Sequence, residues 1–257
     1  MKAGKLFLTA VFVLGVVSCS TVAYGEWYSG IGTGLFRLHV KGDVGFHTNI
    51  AGPVELDVDL DPDDISDLME TAFGLGGYVT DGTWLIKYSV GVLKLEDDAS
   101  TTLASGTTVS ADLDFDVVAG ELLVGYPVLS GDSFTLRAEG GVRYISHDIN
   151  LDVAVNSTPL NRDIDEDWTD ALVGLSLAVP FAEEWSWDSH VNYGFGGSEG
   201  TFGAQTGISW RFFPHWSATL YGKYTAVDFE NGSKGDSDWY LYDVDEYGLG
   251  LSILFNW

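Results

Sequence analysis

Apolar and polar residues alternate with a period of two through most of the chain after residue 26. The last segment shows this best: Tyr247, Leu249, Leu251, Ile253, Phe255 and Trp257 alternate with Glu246, Gly248, Gly250, Ser252 and Asn256, and Leu254 is the exception. Successive residues of a β-strand point to opposite faces, so the two sets lie on opposite sides. One face has large apolar side chains and the opposite face has small or polar ones. This predicts a strand that separates lipid from a polar lumen.

The same pattern predicts about ten strands, with eight to twelve open from alternation alone. They cover residues 27–40, 71–80, 83–96, 112–127, 133–150, 168–180, 185–197, 201–213, 216–229 and 239–257. A soluble β-sandwich alternates too. Here, however, the apolar faces carry Trp or Tyr near their ends, as membrane-interface girdles do, and the opposite faces hold Gly, Arg, Lys and Glu. We therefore expect an all-β fold, a transmembrane antiparallel up-and-down β-barrel.

Short and long connections alternate between these strands. The tight turns are Asp81-Gly82, Ser130-Gly131-Asp132, Ala182-Glu183-Glu184 and Pro214-His215, and we assign them to the periplasm. The long segments 41–70, 97–111, 151–167 and 230–238 are mostly polar and are expected as extracellular loops, with 196–200 as a short one. Within the first loop, apolar and acidic residues alternate over 54–60, so this stretch either extends the first hairpin or folds inward. Residues 64–72 suggest a short helical turn.

The first 25 residues have the pattern of an export signal. Lys2 and Lys5 precede the apolar run 6–17, and Ala23-Tyr24-Gly25 offers small residues for cleavage before Glu26. The expected division is a signal peptide at 1–25 and a barrel domain at 26–257. Cys19, the single cysteine, follows Val16-Val17-Ser18 and leaves open the alternative of a lipidated N-terminus.

The net charge of the chain limits the classes of partner that it can bind. The chain has a formal charge of −26, and loss of 1–25 removes Lys2 and Lys5 but no acid, which gives −28. Such a surface excludes nucleic acid as a partner, because proteins bind the nucleic-acid phosphate backbone through basic surfaces. It suits divalent cations instead.

Three stretches carry a resemblance to a known family. The first is the acidic stretch 58–65, which precedes a strand and the turn 81–85. The second is 167–175 and continues to 194–200, and the third is 247–255, near the end of the chain. They resemble Gram-negative outer-membrane β-barrel proteins of mostly unassigned function, the small OmpA- and OmpW-like barrels. The resemblance implies the outer membrane as the location and implies no activity. Aromatic Phe255 and Trp257 are similar to the signal read by the barrel-assembly machinery, which implies that machinery and periplasmic chaperones as partners during biogenesis.

The inward faces carry the most informative polar residues. They form a predicted lumen charge network of Lys87, Glu121, Arg137, Glu139, Arg143, Asp188, His190, Arg211, Lys223 and Glu246. Buried charges need partners, so the network indicates either an ion-paired plug or a narrow polar pore.

No catalytic or cofactor-binding residues are expected. Asp188 and His190 resemble the pair of omptin-type outer-membrane proteases, but they follow a periplasmic turn, at the wrong end of the barrel. Ser146, His147 and Asp148 are neighbours on one strand and cannot converge. Asp57, Asp59 and Asp61 lack the glycine and the glutamate of an EF-hand. They remain a speculative surface site for calcium or magnesium.

Three hypotheses about function follow. The first is a non-enzymatic barrel with a structural or surface-interaction role, whose acidic loops meet lipopolysaccharide, cations or a partner. The second is a narrow channel for small solutes. The third, and the least favoured, is a membrane-embedded hydrolase that acts on lipid A or peptides.

Overall fold

The computed structural model describes residues 27–48, 52–102, 108–155 and 158–257. The predicted signal peptide and Cys19 lie outside these ranges. The strands are β1 (Tyr28–Thr48), β2 (Gly52–Leu60), β3 (Met69–Thr80), β4 (Leu85–Thr102), β5 (Thr108–Gly131), β6 (Phe134–Val155), β7 (Thr158–Ala182), β8 (Trp185–Phe195), β9 (Gly200–Phe213), β10 (Trp216–Asn231) and β11 (Tyr240–Asn256), with one helix, α1 (Pro62–Leu68). Among the described residues, no helix is long and apolar enough to cross a membrane.

Ten strands close into an antiparallel barrel, as predicted. Neighbours along the chain pair from β3 to β11, and β1 closes the ring between β3 and β11. β1 pairs with β3 over Tyr28–Thr33 and with β11 over Gly30–Phe46. The extra strand, β2, pairs with the upper part of β1, so the alternating stretch in the first loop extends the first hairpin.

A belt of apolar side chains covers the outside of the barrel. Leu35, Leu220 and Leu249 are 82%, 61% and 66% exposed, which only a lipid environment makes favourable. Aromatic pairs border the belt near the tight turns: the ring centroids of Trp185 and Trp210 lie 5.6 Å apart. At the other border, Tyr193, Tyr224 and Tyr247 face outward. The predicted orientation of the apolar faces is therefore confirmed.

The prediction of long extracellular loops at 97–111 and 151–167 was wrong. Their described residues belong to strands: β5 and β7 have 24 and 25 residues, whereas about 10 residues cross a membrane. The alternation continues in them: buried Ile164, for example, lies between exposed Asp163 and Asp165. Their outer faces are acidic because they meet water rather than lipid, which made the segments look like polar loops.

Above the membrane the barrel divides into two sheets. β8 and β9 end early, so β7 above Ala171 pairs only with β6, and β10 above Asp228 pairs only with β11. On the opposite side, β2 pairs only with β1 and β4 above Leu95 pairs only with β5. The inner faces of sheets β4–β7 and β10-β11-β1-β2 pack together. We call this part the extracellular sandwich.

Helix α1 lies at the base of the gap between β1 and β4. Asp61 caps its N-terminus by accepting hydrogen bonds from the backbone N–H groups of Asp63 and Asp64, and Pro62 begins the first turn. Ile65 is its buried residue and anchors the helix to the barrel.

Candidate functional site

Two ion pairs lie on the lumen wall within the membrane, between strands β4 to β6. The Arg143 guanidinium donates to Glu121 Oε2 through Nη2 at 2.7 Å and through Nε at 3.1 Å. Lys87 Nζ lies 2.7 Å from Glu139 Oε1, and the Glu139 side chain is fully buried. Glu121 and Glu139 thus each have a charged partner, which offsets the cost of burying a charge.

The remaining members of the predicted charge network are placed differently. Asp188 accepts hydrogen bonds from Ser186 and Ser209, and Glu246 accepts one from Tyr242. His190 is half-buried near Lys87, Glu121 and Glu139 and forms no ion pair in the described part of the chain. Arg211 does not face the network, because it lies at the periplasmic rim, where it donates to the Glu183 carbonyl. A bulge after Trp216 shifts the register there.

Arg137 and Lys223 face the lumen without a carboxylate. Within the described ranges neither forms an ion pair, and Arg137 Nε is buried without a hydrogen-bond partner. Lys223 is exposed although it points inward, so the lumen holds accessible space beside it.

Space in the lumen adjoins a wall of small residues. Gly74, Gly76 and Gly91 face inward on β3 and β4, and a Cβ added at Gly74 or Gly91 would meet only a neighbouring backbone oxygen, at 4.0 or 3.9 Å. Ser89, on the same wall, is exposed. Lys87 lies on the same strand as Gly91, and the other lumen charges lie on strands from β5 to β11, so the lumen is lined partly by charged side chains and partly by bare backbone.

An apolar cluster closes this cavity on the extracellular side. It joins the inner faces of the two sheets and consists of Ile145, Ile164, Trp168, Val227, Phe229, Tyr240, Tyr242 and Val244. The Trp168 and Phe229 rings come from opposite sheets and stack with centroids 4.1 Å apart. We call this cluster the aromatic seal. The sequence analysis missed it, although the continued alternation of these segments was the signal that reveals it.

His147 lies inside the aromatic seal. Its Nδ1 is 2.8 Å from the Tyr240 hydroxyl, and the rings of Phe115, Trp168 and Tyr242 surround it edge-on. Burial lowers the pKa of His147 to about 3, because no carboxylate compensates for the lost hydration of the charged form. The imidazole is therefore neutral at physiological pH.

The carboxylate of Asp170 fastens the short connection between β8 and β9. It is fully buried and accepts hydrogen bonds from the N–H groups of Gly197 and Ser198 and from the hydroxyls of Ser198 and Thr201. These hydrogen bonds hold the connection against the side of the barrel where β8 and β9 end early.

Lateral rows of carboxylates cover the outer faces of the extracellular sandwich. On one sheet Asp57, Asp43, Asp243 and Asp228 lie directly opposite one another on successive strands. On the other sheet the rows are Asp98-Asp112-Asp152, Glu96-Asp114-Asn150-Asp163 and Lys94-Asp116-Asp148-Asp165. The pKa of Asp243 is raised by partial burial and by the neighbouring Asp228, Asp43 and Asp245.

Solved structures share this architecture. OmpT, the outer-membrane protease of Escherichia coli, aligns with a TM-score of 0.55 at 8% identity, over 93% of this chain and 99% of OmpT. The fold is that of an outer-membrane β-barrel. The translocator domain of the autotransporter NalP from Neisseria meningitidis aligns with a TM-score of 0.46 at 12% identity, over 91% of this chain and 89% of that one. Ail of Yersinia pestis aligns with a TM-score of 0.32 at 12% identity, over 91% and 99%. No protein-family model and no curated protein matches the sequence.

These outer-membrane barrels include a protease, and at 8% identity the likeness to OmpT extends to the fold alone. In this barrel Asp188 is held by two serine hydroxyls low in the lumen. His147 points into the seal, whereas its neighbours Ser146 and Asp148 lie on the outer face. These residue types are thus kept apart, as the strand geometry predicts.

The three aspartates proposed as a cation site have separate roles in the barrel. Asp59 accepts hydrogen bonds from Lys41 and His39, which lowers its pKa. Asp61 caps α1, and the backbone N–H groups of Asp64 and Asp63 lower its pKa as well. Asp57 belongs to the carboxylate row. In the described part of the chain, no group of three or more His, Cys, Asp or Glu side chains is arranged to hold a metal ion.

The proposed assembly residues close the outer-membrane barrel. Phe255 and Trp257 point outward at the periplasmic border, with ring centroids 5.8 Å apart, and Phe255 also contacts Trp216. Trp257 exchanges backbone hydrogen bonds with Ser29 on β1, so the final residues lie at the seam of the barrel.

Proposed function

We propose that this outer-membrane barrel is non-enzymatic and non-conducting, and that it acts through the outer faces of its extracellular sandwich. The aromatic seal carries the proposal. Trp168 and Phe229 stack across the place where a solute would leave the lumen, and Val227 and Tyr242 fill the space around them. A solute could pass only if the two sheets separated.

The acidic faces indicate the kind of contact that the barrel makes. Carboxylates directly opposite one another repel, and cations relieve that repulsion. Lipopolysaccharide phosphates bind the same divalent cations, so a shared ion can join the outer faces to lipid. A partner with a cationic surface would meet the same rows with complementary charge.

Planar-bilayer recording of the refolded protein tests the non-conducting part. We expect no discrete steps from the wild type and conductance from Trp168→Ala/Phe229→Ala, because this change removes the stacked pair from the seal. The matched control is Trp185→Ala/Trp210→Ala, which removes a stacked pair from the lipid-facing girdle and leaves the seal intact. Reproducible steps from the wild type would overturn the proposal.

The second candidate is a narrow channel, which the exposure of Lys223 and Ser89 inside the lumen favours. The same recording distinguishes it. An enzymatic role is tested separately by comparing the lipid A of a deletion strain with that of its parent, and the proposal expects identical profiles.

A further inference from the structure

Strand β2 leaves one of its edges unpaired on the extracellular side. Among the described residues it pairs with β1 alone, and β4 above Leu95 pairs only with β5. We call the gap between β2 and this part of β4 the edge cleft. Alternate residues of an edge strand direct their backbone N–H and C=O groups away from the sheet, so β2 offers free hydrogen-bonding groups to the cleft. Pro53 removes at most one of the donors.

The corresponding gap on the other side of the extracellular sandwich is bridged. Asn231 on β10 donates to both carboxylate oxygens of Glu166 on β7, and Arg162 donates to the carbonyl of Ser237. The ion pairs of β2, in contrast, run to Lys234, Lys41 and His39, none of which lies on β4. The edge cleft is therefore open on one side of the sandwich only.

The inner face of β2 is apolar but lies outside the aromatic seal. In the described part of the chain β2 contributes nothing to the seal, whereas β1 packs against it through Val40, Val44 and Phe46. Leu56 lies directly opposite Val44 and points into the sandwich, and yet it is 48% exposed. Across the cleft, Leu113 on β5 also points inward and is 36% exposed. A partner that covers this apolar surface would be stabilised by the hydrophobic effect.

Carboxylates without a cationic partner lie on both sides of the edge cleft. Asp57 on β2 and Glu96, Asp97 and Asp98 on β4 form no ion pair within the described ranges. The pKa of Glu96 is raised, chiefly by the negative charge of Glu70. The cleft therefore attracts a positively charged segment and repels a second copy of this acidic chain.

We propose that the edge cleft is a docking site for an extended segment of a partner protein in which basic and apolar residues alternate. The segment adds to β2 as a further strand, with its apolar side chains beside Leu56 and its basic side chains in line with Asp57. Backbone hydrogen bonds to the edge of β2 hold it, and the alternation sets its specificity. This inference goes beyond the proposed role of the outer faces, and it does not depend on whether the barrel conducts.

Fluorescence anisotropy of a labelled peptide tests the site on the refolded full-length protein, in a nonionic detergent at about 0.15 M salt. The probe alternates lysine and valine and has the nine-residue length of β2. Two control peptides carry the same charge. One has its lysines and valines in two separate blocks, and the other is N-methylated throughout, which removes its backbone donors.

We expect saturable binding of the alternating peptide and affinity at least about tenfold weaker for both controls. Equal affinity for the three peptides would show that charge alone attracts them to the outer faces. That result would keep the surface role and overturn the edge site, and so would no saturable binding of the alternating peptide.

Two variants that each add one carboxylate show whether the peptide occupies the cleft. Leu56→Glu places a charge on the inner face of the edge strand. Asn150→Glu is the matched control, since Asn150 is exposed on the outer face of β6. Affinity should fall about tenfold in Leu56→Glu, despite its additional negative charge, and should not fall in Asn150→Glu. Similar affinities of the two variants would overturn the proposal.

Hydrogen exchange of the wild type locates the contact even if Leu56→Glu does not fold, which is checked by the difference in gel mobility between boiled and unboiled samples. The alternating peptide should slow amide exchange in 52–60 and leave 158–166, on the bridged side, unchanged. Unchanged exchange in 52–60 would contradict the site. Concentration-dependent dimerisation without peptide, accompanied by slower exchange in 52–60, would assign the cleft to a second copy of the chain and would also overturn the proposal.

Discussion

At the residue scale, the buried Asp170 carboxylate fixes the position of the short connection between β8 and β9. Two backbone N–H groups and two hydroxyls converge on it, and they hold the β8–β9 connection over the low side of the barrel. Hydrogen bonds to a charged group contribute about 1.5–3 kcal/mol, so this one side chain influences the stability of the entire connection.

We expect Asp170→Ala to lower the free energy of unfolding by about 3 kcal/mol, because it leaves buried donors unpaired. Urea unfolding in detergent measures the change. Asp167→Ala, an exposed aspartate on the same strand, serves as the control and should change stability by less than about 0.5 kcal/mol. Equal effects of the two changes would contradict this account of Asp170.

His147 gives the barrel a predictable dependence on pH. Its pKa is about 3 in the folded protein and about 6.5 when unfolded, so between these values the unfolded chain binds more protons. The free energy of unfolding therefore falls as the pH is lowered from about 6.5 to 3, by up to about 1.4 kcal/mol per pH unit from this residue. Unfolding of wild type and His147→Gln between pH 4 and 7 measures the difference, and parallel pH profiles would show that His147 does not contribute.

At the element scale, the last strand both closes the barrel and presents its aromatic end at the seam. β11 pairs with β1 over Gly30–Phe46 and with β10 along its length. Pairing of its C-terminal residues therefore completes the closure of the barrel. Phe255 and Trp257 contact the girdle there and contribute little to any buried core.

Replacing Phe255 and Trp257 with Ala should therefore reduce the amount of protein in the outer membrane, because the assembly machinery is expected to read this strand. Quantitative blotting of outer-membrane fractions measures the yield. Leu249→Ala/Leu251→Ala provides a control, since it removes two lipid-facing side chains from the same strand but spares its end. Normal yield of the aromatic variant would show that these residues are not the signal.

At the scale of the whole molecule, the charge of the chain is concentrated on two outer faces. The lateral rows place carboxylates on neighbouring strands, about 4.5–5.5 Å apart between Cβ atoms, and such like-charge pairs destabilise a sheet. The apolar faces behind them hold the sheets together in spite of this repulsion.

Millimolar calcium should raise the melting temperature more than sodium chloride of equal ionic strength, because a divalent ion bridges carboxylates and salt only screens them. Calcium should also slow proteolysis of 41–70. The gain should be smaller in Asp57→Asn/Asp59→Asn/Asp61→Asn and in Asp43→Asn/Asp243→Asn, and comparison of the two variants locates the ions. Equal effects of calcium and sodium would leave screening as the whole explanation.

The sequence by itself determined the barrel, because strand alternation is local: Leu249, Leu251 and Ile253 share a face whatever the rest of the chain does. The tight turns and the even number of strands followed in the same way. Only the tertiary structure decided what each polar face meets. Asp114 and Asp116 face water above the membrane, whereas Glu121, five residues beyond Asp116 and on the other face of β5, faces a cation in the lumen. Period-two alternation is the same in both cases.

The aromatic seal and the lumen hydrogen bonds depended on contacts between strands that are distant in the sequence. Trp168 and Phe229 meet because β8 and β9 end early and let the opposite walls approach each other. Arg143 donates a hydrogen bond to Asn192 because the pairing of β6, β7 and β8 brings the two inward side chains together. The alternation marks which residues of each strand face inward but not which of them meet, since the register across a closed barrel is set by the pairing of all its strands rather than by any one of them.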